Sequence, residues 1–283
     1  MLESAITPVL AALIYTTFLQ IPLVDLHGTM TDTRFLGALL AANFVAIPIG
    51  VFALFQFVPS SPAIQLGVLL VLLTPCIDYV VVFTHLGQGD SHRVLAATPV
   101  LLLVQIVLLP VYLWLFLGPD AAELLRPGPF VEAFLWLIAA PLILAWLTEL
   151  WAMRHGSGEV FANAMGWGPV PLMALTLFLV VGAEVPRIRD AVDDVLGIVP
   201  IYVAYGVAAP LVGLVVARLF ALDRGAGRAL VFSVSTRNSL VVLPLALAAP
   251  IGGGLVAAVV VTQTLVELLG ELVYIRAIPR IIR

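Results

Sequence analysis

Two short segments place chemically active side chains inside otherwise apolar stretches of the chain. The first runs from Thr74 to Asp78 and contains a cysteine, and the second runs from Ser235 to Ser239 and contains an arginine. A thiol can bind a soft metalloid, a carboxylate can carry a proton, and a guanidinium can bind an anion. With two residues from further apolar stretches, the candidate substrate- and ion-binding residues are Thr74, Cys76, Asp78, Gln105, Ser235, Thr236, Arg237, Asn238, Ser239 and Glu267.

The elements that must position these residues are membrane-spanning helices. Of the 283 residues, 62% are hydrophobic and 11% are charged, and the mean hydropathy is +1.15, whereas soluble domains have about 45–50% apolar and about 25% charged residues. Since a helical span needs roughly 20 apolar residues, we predict an all-α polytopic membrane protein. The nine predicted spans are 5–24, 34–58, 63–86, 94–118, 129–152, 166–185, 195–222, 228–250 and 252–275.

The charge composition excludes several classes of function. The net charge is −4 and the arginines are scattered, so no basic patch predicts nucleic-acid binding. The chain has no lysine, which excludes Schiff-base chemistry, and neither a catalytic dyad nor metal-ligand spacing predicts an enzyme. We expect no cofactor, and we expect the partners to be membrane lipid, a small inorganic or organic anion and protons.

The arginines predict how the chain crosses the plasma (inner) membrane. Nine lie on one side of the predicted spans and three on the other, which places the C-terminus in the cytoplasm and the N-terminus outside. At 1.5 Å per residue, Asp78, Arg237 and Glu267 then lie roughly 12–14 Å from the cytoplasmic edge, near mid-membrane. A charge there costs at least ~2.5 kcal/mol. We therefore expect Asp78 to pair with Arg237, either as a static ion pair or as part of a functional site.

The other polar residues of the predicted spans have the following expected roles. Cys76 is either a small buried hydrophobic residue or a soft sulfur ligand. We expect Glu267 to line a cavity as a second acid and Glu271, one turn later, to lie at the membrane interface. Asn43 and Gln105 are expected to form hydrogen bonds between helices, which is the usual role of amides in membrane bundles.

Residue types of the first part of the chain recur further along it at a constant spacing in sequence, so that residue 42 corresponds to residue 204. This repeat offset equals five predicted spans, an odd number, so residues 1–118 and 129–283 are expected to form two repeats that cross the membrane in opposite senses. Inverted repeats are typical of alternating-access transporters, whose substrate site lies where the repeats meet, and the alternative is a pair of similar helix bundles without a transport role. The matched positions include Ala42 and Ala204, Val45 and Val207, Pro48 and Pro210, Thr74 and Thr236, Val80 and Val242, and Tyr112 and Tyr274.

At these residues the chain resembles the bile acid:sodium symporter superfamily and, within it, the arsenite-efflux permeases of arsenic resistance. The resemblance rests on the segment 74–76 with the following loop 87–90, on the Arg-Asn-Ser of 237–239, and on the stretch from Leu265 to Arg276. It implies ten helices, a core subdomain with two broken helices that cross, and a panel subdomain, the two interleaved along the chain. The spans 63–86 and 228–250 would be the broken pair, and the first helix of the first repeat would be absent.

The chain departs from the family pattern at three positions. Leu240 stands where the arsenite branch has a glutamate, and Ser233 stands where the symporter branch has a sodium-binding acid. Arg237 replaces a neutral ligand and would repel sodium. These differences argue against sodium coupling and against a transport mechanism identical to that of the arsenite branch.

The sequence therefore predicts a secondary transporter, most simply an antiporter that exports arsenite or a related small oxyanion with the proton gradient. In this hypothesis Cys76 contacts the metalloid, Asp78 or Glu267 carries the proton, and Arg237 alternates between substrate and Asp78. Residues 74, 235, 238 and 239 would supply hydrogen bonds. The alternatives are a transporter of a small organic anion, with Arg237 as the carboxylate partner, and a passive channel.

Overall fold

The structure is a computed structural model that describes residues 2–19, 32–77, 79–118, 135–169, 171–172, 175, 178–179, 192–249 and 252–282. Within these ranges every regular element is a helix, and two of them are π-helical turns, π1 and π2. In chain order the elements are α1 (Leu2–Phe18), α2 (Thr33–Ala41), π1 (Ala42–Ala46), α3 (Ile47–Phe55), α4 (Pro62–Leu72), α5 (Val80–Leu86), α6 (Ser91–Leu117), π2 (Leu135–Ala139), α7 (Ala140–Arg154), α8 (Gly156–Met165), α9 (Val192–Leu219), α10 (Arg224–Ser235), α11 (Ser239–Leu247) and α12 (Gly253–Ile281).

Four helices of the described part are long and apolar enough to cross a membrane. They are Thr33–Phe55, Ser91–Leu117, Val195–Leu219 and Gly254–Ile281, and they coincide with four of the predicted spans. The side of α9 that carries Val203, Val207, Leu211 and Val215 is exposed. This face repeats every four residues, as expected of a helix side that lies against lipid.

The predicted spans 63–86 and 228–250 are each broken into two helices. Residue 75 is a proline, which has no amide hydrogen and disfavours helical geometry at Thr74, so α4 ends at Leu72. In the second span, Thr236 is extended, with φ −98° and ψ 129°. A new helix then begins at Ser239, where the side chain of Asn238 accepts a hydrogen bond from the amide of Val241 at 3.1 Å.

Corresponding helices of the two halves start at a constant spacing. The span that starts at Thr33 has a counterpart starting at Val195. Likewise α4 and α10 start at residues 62 and 224, and α6 and α12 start at 91 and 253. All three pairs of starts are separated by the repeat offset of the sequence.

The short helix α4 lies at the centre of the protein. Nine of its eleven residues are buried, and it packs against α12. At Gly67, a Cβ atom would lie 2.7 Å from a methyl carbon of Val259 on α12. Glycine is therefore required for the close approach of these two helices.

Three helix N-termini meet at Arg93. Asp32, Asp90 and Asp223 precede α2, α6 and α10, and each uses its Oδ1 atom to accept a hydrogen bond from the first turn of its helix. Their Oδ2 atoms lie 3.4, 3.2 and 2.7 Å from the guanidinium of Arg93. The amide of Ala226, and then Arg93, hold the pKa of Asp223 below its ordinary value. We call these four residues the Arg93 cluster.

One predicted loop is shorter than expected. The sequence predicts a break over residues 154–158, but α8 already begins at Gly156, so only His155 separates it from α7. The turn is tight because Gly158 lies against the backbone of α7, where a Cβ atom would be 2.7 Å from the amide nitrogen of Ala152. Glycine permits this contact.

Candidate functional site

The two unwound segments cross and pair through their backbones. The amide of Cys76 donates to the carbonyl of Thr236 at 3.1 Å, and the amide of Asn238 donates to the carbonyl of Thr74 at 2.9 Å. Pro75 lies opposite Arg237 in this antiparallel bridge. The backbone groups freed by the two breaks thus satisfy each other, as buried backbone groups must. We call this place the crossing, and it brings five of the candidate residues together.

The guanidinium of Arg237 is fully buried at the crossing. One terminal nitrogen lies 2.9 Å from the Oδ1 atom of Asn43 and 2.9 and 2.7 Å from the carbonyl oxygens of Ser233 and Val234. The other lies 3.4 Å from the carbonyl oxygen of Leu72. All four acceptors are neutral, so hydrogen bonds to oxygen dipoles compensate for the loss of hydration.

Two aromatic side chains complete the surroundings of Arg237. The guanidinium carbon lies 5.7 Å from the centre of the Tyr205 ring, within the range of a cation–π contact. The hydroxyl of Tyr79 lies 2.8 Å from the carbonyl oxygen of Arg237 and 2.9 Å from the carboxylate of Glu267. Tyr79 therefore links the crossing to α12.

The carboxylate of Glu267 binds the peptide of Arg237. Its Oε2 atom accepts a hydrogen bond from the backbone amide of Arg237 at 2.7 Å and one from the side-chain amide of Gln263 at 2.6 Å. Glu267 is buried, and it has these two amide donors beside the hydroxyl of Tyr79, whose one hydrogen it shares with the carbonyl of Arg237. Such donors stabilise a buried carboxylate, and they tie the position of α12 to the crossing.

The expectation that Glu271 lies at the membrane interface is wrong. The residue is fully buried, and its carboxylate accepts a hydrogen bond from the hydroxyl of Thr236 at 2.9 Å. The reason is that α12 continues to Ile281, beyond the predicted end of the span at residue 275. Its polar face at 263, 267 and 271 therefore packs toward the crossing. Two acids, one turn apart, meet the second unwound segment.

The remaining candidate residues have different surroundings. The hydroxyls of Thr74 and Ser235 donate to carbonyls of their own helices, Leu70 at 2.8 Å and Val231 at 2.7 Å. Gln105 is buried in α6, and no hydrogen bond among the described residues joins its side chain to the crossing. Asp78 lies outside the described residues, so its pairing with Arg237 stays a prediction.

Several buried polar atoms near the crossing have no hydrogen-bond partner within the described part of the chain. Leaving such an atom unsatisfied costs about 1–3 kcal/mol. Three atoms that can donate a hydrogen bond and two that can accept one are available to a polar solute or to water. The atoms are Nε of Arg237, Nδ2 of Asn238, Oγ of Ser239, Oε1 of Gln263 and Oε2 of Glu271.

A cavity of about 600 Å³ lies between α9 and α12. Most of its wall is apolar, formed by residues such as Val266 and Ala277, and it opens on the exposed face of α9 at Val203 and Val207. Ser235, Gln263 and Glu267 also line the cavity, together with three tyrosines at 202, 205 and 274. The cavity therefore offers both apolar surface and polar groups close to the crossing.

Sequence reasoning missed two residues of the site. Tyr79 follows Asp78 directly, and Tyr205 stands at the position of the second repeat that corresponds to Asn43 in the first. That equivalence is a signal that could have identified Tyr205. Asn43 forms an interhelical hydrogen bond as expected, from its amide to the hydroxyl of Ser233 at 3.1 Å. It lies on π1, a type of turn that is frequent at functional sites.

Comparisons with known proteins give one match. The family model described as the Sodium Bile acid symporter family matches residues 7–190, more than half of the chain. The match includes the first unwound segment and ends before the second. No curated protein is significantly similar to the chain.

Proposed function

The chain belongs to the sodium bile acid symporter family of membrane transporters, and we propose that it exports arsenite or a related small oxyanion in exchange for protons. The observation that carries this proposal is the crossing, where a buried thiol, a buried arginine and two buried acids lie around two unwound segments. Irregular backbone at membrane depth is tolerated where it lines a site or a cavity. The crossing is therefore the proposed substrate site.

The opposite orientation of the two repeats is supported by contacts between equivalent residues. Pro75 and Arg237 are related by the repeat offset and face each other in an antiparallel bridge, so the chain passes the crossing in opposite directions. The hydroxyl of Tyr112 donates to the carbonyl of Phe44, and that of Tyr274 donates to the carbonyl of Gly206. The two tyrosines correspond to each other in the repeat, and so do the two acceptor residues.

Cys76 is the proposed contact of the metalloid. Its thiol can replace one hydroxyl of arsenous acid: an As–S bond forms, an As–O bond breaks, and the thiol proton leaves with the hydroxyl as water. Sulfur is a soft ligand that suits such a centre. Arg237 contributes positive charge, and Asn238 and Ser239 contribute hydrogen-bonding groups.

Glu267 is the proposed proton carrier, with Asp78 as the alternative. When ionised, it accepts a charge-assisted hydrogen bond from the amide of Arg237. Protonation weakens this bond and so changes how firmly α12 holds the crossing. The proton gradient can then act on the position of the two unwound segments.

Arsenite efflux from cells that lack their own exporter tests the role of the thiol. The wild type is expected to restore arsenite efflux and arsenite resistance to these cells, which we call rescue. Cys76→Ser, expressed at the same level, is expected to give no rescue, because a hydroxyl does not replace the soft sulfur. Ile77→Val is the matched control, since it trims the neighbouring buried residue and leaves the thiol in place. Equal rescue by Cys76→Ser and the wild type would contradict the proposal.

The cavity supports a second candidate, the transport of a small organic anion. A volume of about 600 Å³ with a mostly apolar wall is typical of sites for organic ligands and far exceeds what arsenite fills. Ala277→Trp would fill part of the cavity and is expected to abolish uptake of organic anions into proteoliposomes. Val107→Trp, on an exposed face of α6, is the control. Unchanged uptake by Ala277→Trp would reject this candidate.

A further inference from the structure

The oxygen atoms around the guanidinium of Arg237 form what we call the oxygen cage. Its members are the side-chain oxygen of Asn43 and the carbonyl oxygens of Leu72, Ser233 and Val234, at 2.7–3.4 Å. Of the described residues, none pairs a carboxylate with this guanidinium; the ion pairs there all involve Arg93. A single positive charge surrounded by neutral oxygens is also how proteins hold a dehydrated alkali cation.

Two helix ends make the oxygen cage attractive to a cation. Leu72 is the last residue of α4, and Ser233 and Val234 lie in the last turn of α10. The last four carbonyls of a helix have no partner within it, and the C-terminus carries roughly half a negative charge. Because both helices stop at the crossing, two such ends converge on one cation. Half-helix C-termini of this kind hold the coupling cation in transporters.

We propose that the guanidinium of Arg237 is a built-in cation that permanently occupies a monovalent-cation site, so that this chain binds no sodium ion there. Arginine stays charged throughout the physiological pH range, and the side chain cannot dissociate. The inference has one consequence, that transport does not require sodium, and this consequence rests on the proposed function. The existence of the site does not depend on it.

Thermal unfolding of purified variants tests the site directly. Arg237→Ala removes the guanidinium and leaves the four oxygens, and Arg237→Gln does the same with a shorter neutral side chain. Sodium chloride, compared with choline chloride at equal ionic strength, is expected to raise the Tm of both variants by roughly 3–5 °C. The wild type is expected to show no difference, because its site is already filled.

Three control variants separate this site from general salt effects. Arg237→Lys keeps a positive charge and is expected to give no sodium response. Among the described residues, Arg228 also donates only to carbonyl oxygens, those of Gln88, Pro279 and Ile282, but it lies near the exposed end of α10. Arg228→Gln is therefore expected to give no sodium response. Adding Asn43→Leu to Arg237→Gln removes one oxygen and is expected to remove the response.

Each outcome of the experiment decides the question. If Arg237→Ala fails to fold in choline chloride, recovery of folded protein in sodium chloride supports the site. Failure to recover in sodium, or an equal Tm of Arg237→Gln in the two salts, overturns it. Loss of arsenite transport with a sodium response still present would reject the proposed function alone.

Discussion

Glu267 and Arg237 are neighbours at the crossing, but the charged groups of their side chains have separate partners. The carboxylate binds the backbone amide of Arg237, whereas the guanidinium binds four neutral oxygens. The sequence predicts that both residues are buried and that Glu267 lines a cavity. It cannot predict the oxygen cage, because every residue has a carbonyl group and only the unwinding of particular helices exposes some of them.

The proposed role of Glu267 as a proton carrier makes a prediction about pH. Glu267→Gln keeps the size of the side chain and one of its two acceptor oxygens, but it cannot release a proton. We expect efflux by the wild type to change with pH and efflux by Glu267→Gln to be slow and nearly independent of pH. The measurement is arsenite flux in inverted membrane vesicles at fixed pH gradients.

The matched control for this prediction is Glu271→Gln. It removes the neighbouring buried acid one turn away and leaves the contacts of Glu267 with Arg237 in place. A pH dependence that persists in Glu267→Gln and disappears in Glu271→Gln would assign the proton to the second acid.

The two broken helices are the elements that define the site. The breaks are predictable: Pro75 cannot continue a helix, and the polar run from Ser233 to Ser239 is too costly to face lipid. The repeat offset also shows which positions correspond. It does not reveal that Pro75 and Arg237 touch, since equivalent residues meet only if they lie on the axis that relates the repeats.

The importance of the first break can be tested at Pro75. Pro75→Ala restores an amide donor and removes the restriction on Thr74, so α4 can extend toward residue 78. We expect lower transport and a lower Tm, because extension breaks the two backbone hydrogen bonds of the crossing. Pro110→Ala, at a proline inside α6, is the control, and an equal effect of both changes would contradict this role.

On the scale of the whole molecule, the Arg93 cluster joins α2 and α6 from the first half of the chain to α10 from the second. The sequence places these residues in or beside turns, and each aspartate is a typical N-cap. Their convergence could not be predicted, because it depends on how the helices pack. The cluster lies at one end of α10, and the crossing lies at the other.

The lowered pKa of Asp223 predicts an effect of pH on stability. A carboxylate whose pKa is lowered by folding stabilises the native state above its unfolded pKa, and this contribution is lost as the pH falls through the folded value. We therefore expect Asp223→Asn to lower the Tm at neutral pH and to approach the wild type in acid. The measurement is thermal unfolding across that pH range.

The control is Asp193→Asn, at an exposed aspartate on α9 outside the Arg93 cluster. It is expected to give the same Tm as the wild type at each pH. A constant difference between Asp223→Asn and the wild type at all pH values would show that the cap, and not its ionisation, supplies the stability.

The two hydrogen bonds that close the crossing use only main-chain atoms of Thr74, Cys76, Thr236 and Asn238. The backbone pairing of the two unwound segments thus needs none of these four side chains, although Asn238 also caps α11 and Thr236 also binds Glu271. On the proposed function, substitutions of these side chains can alter which solute is accepted and leave the backbone pairing in place.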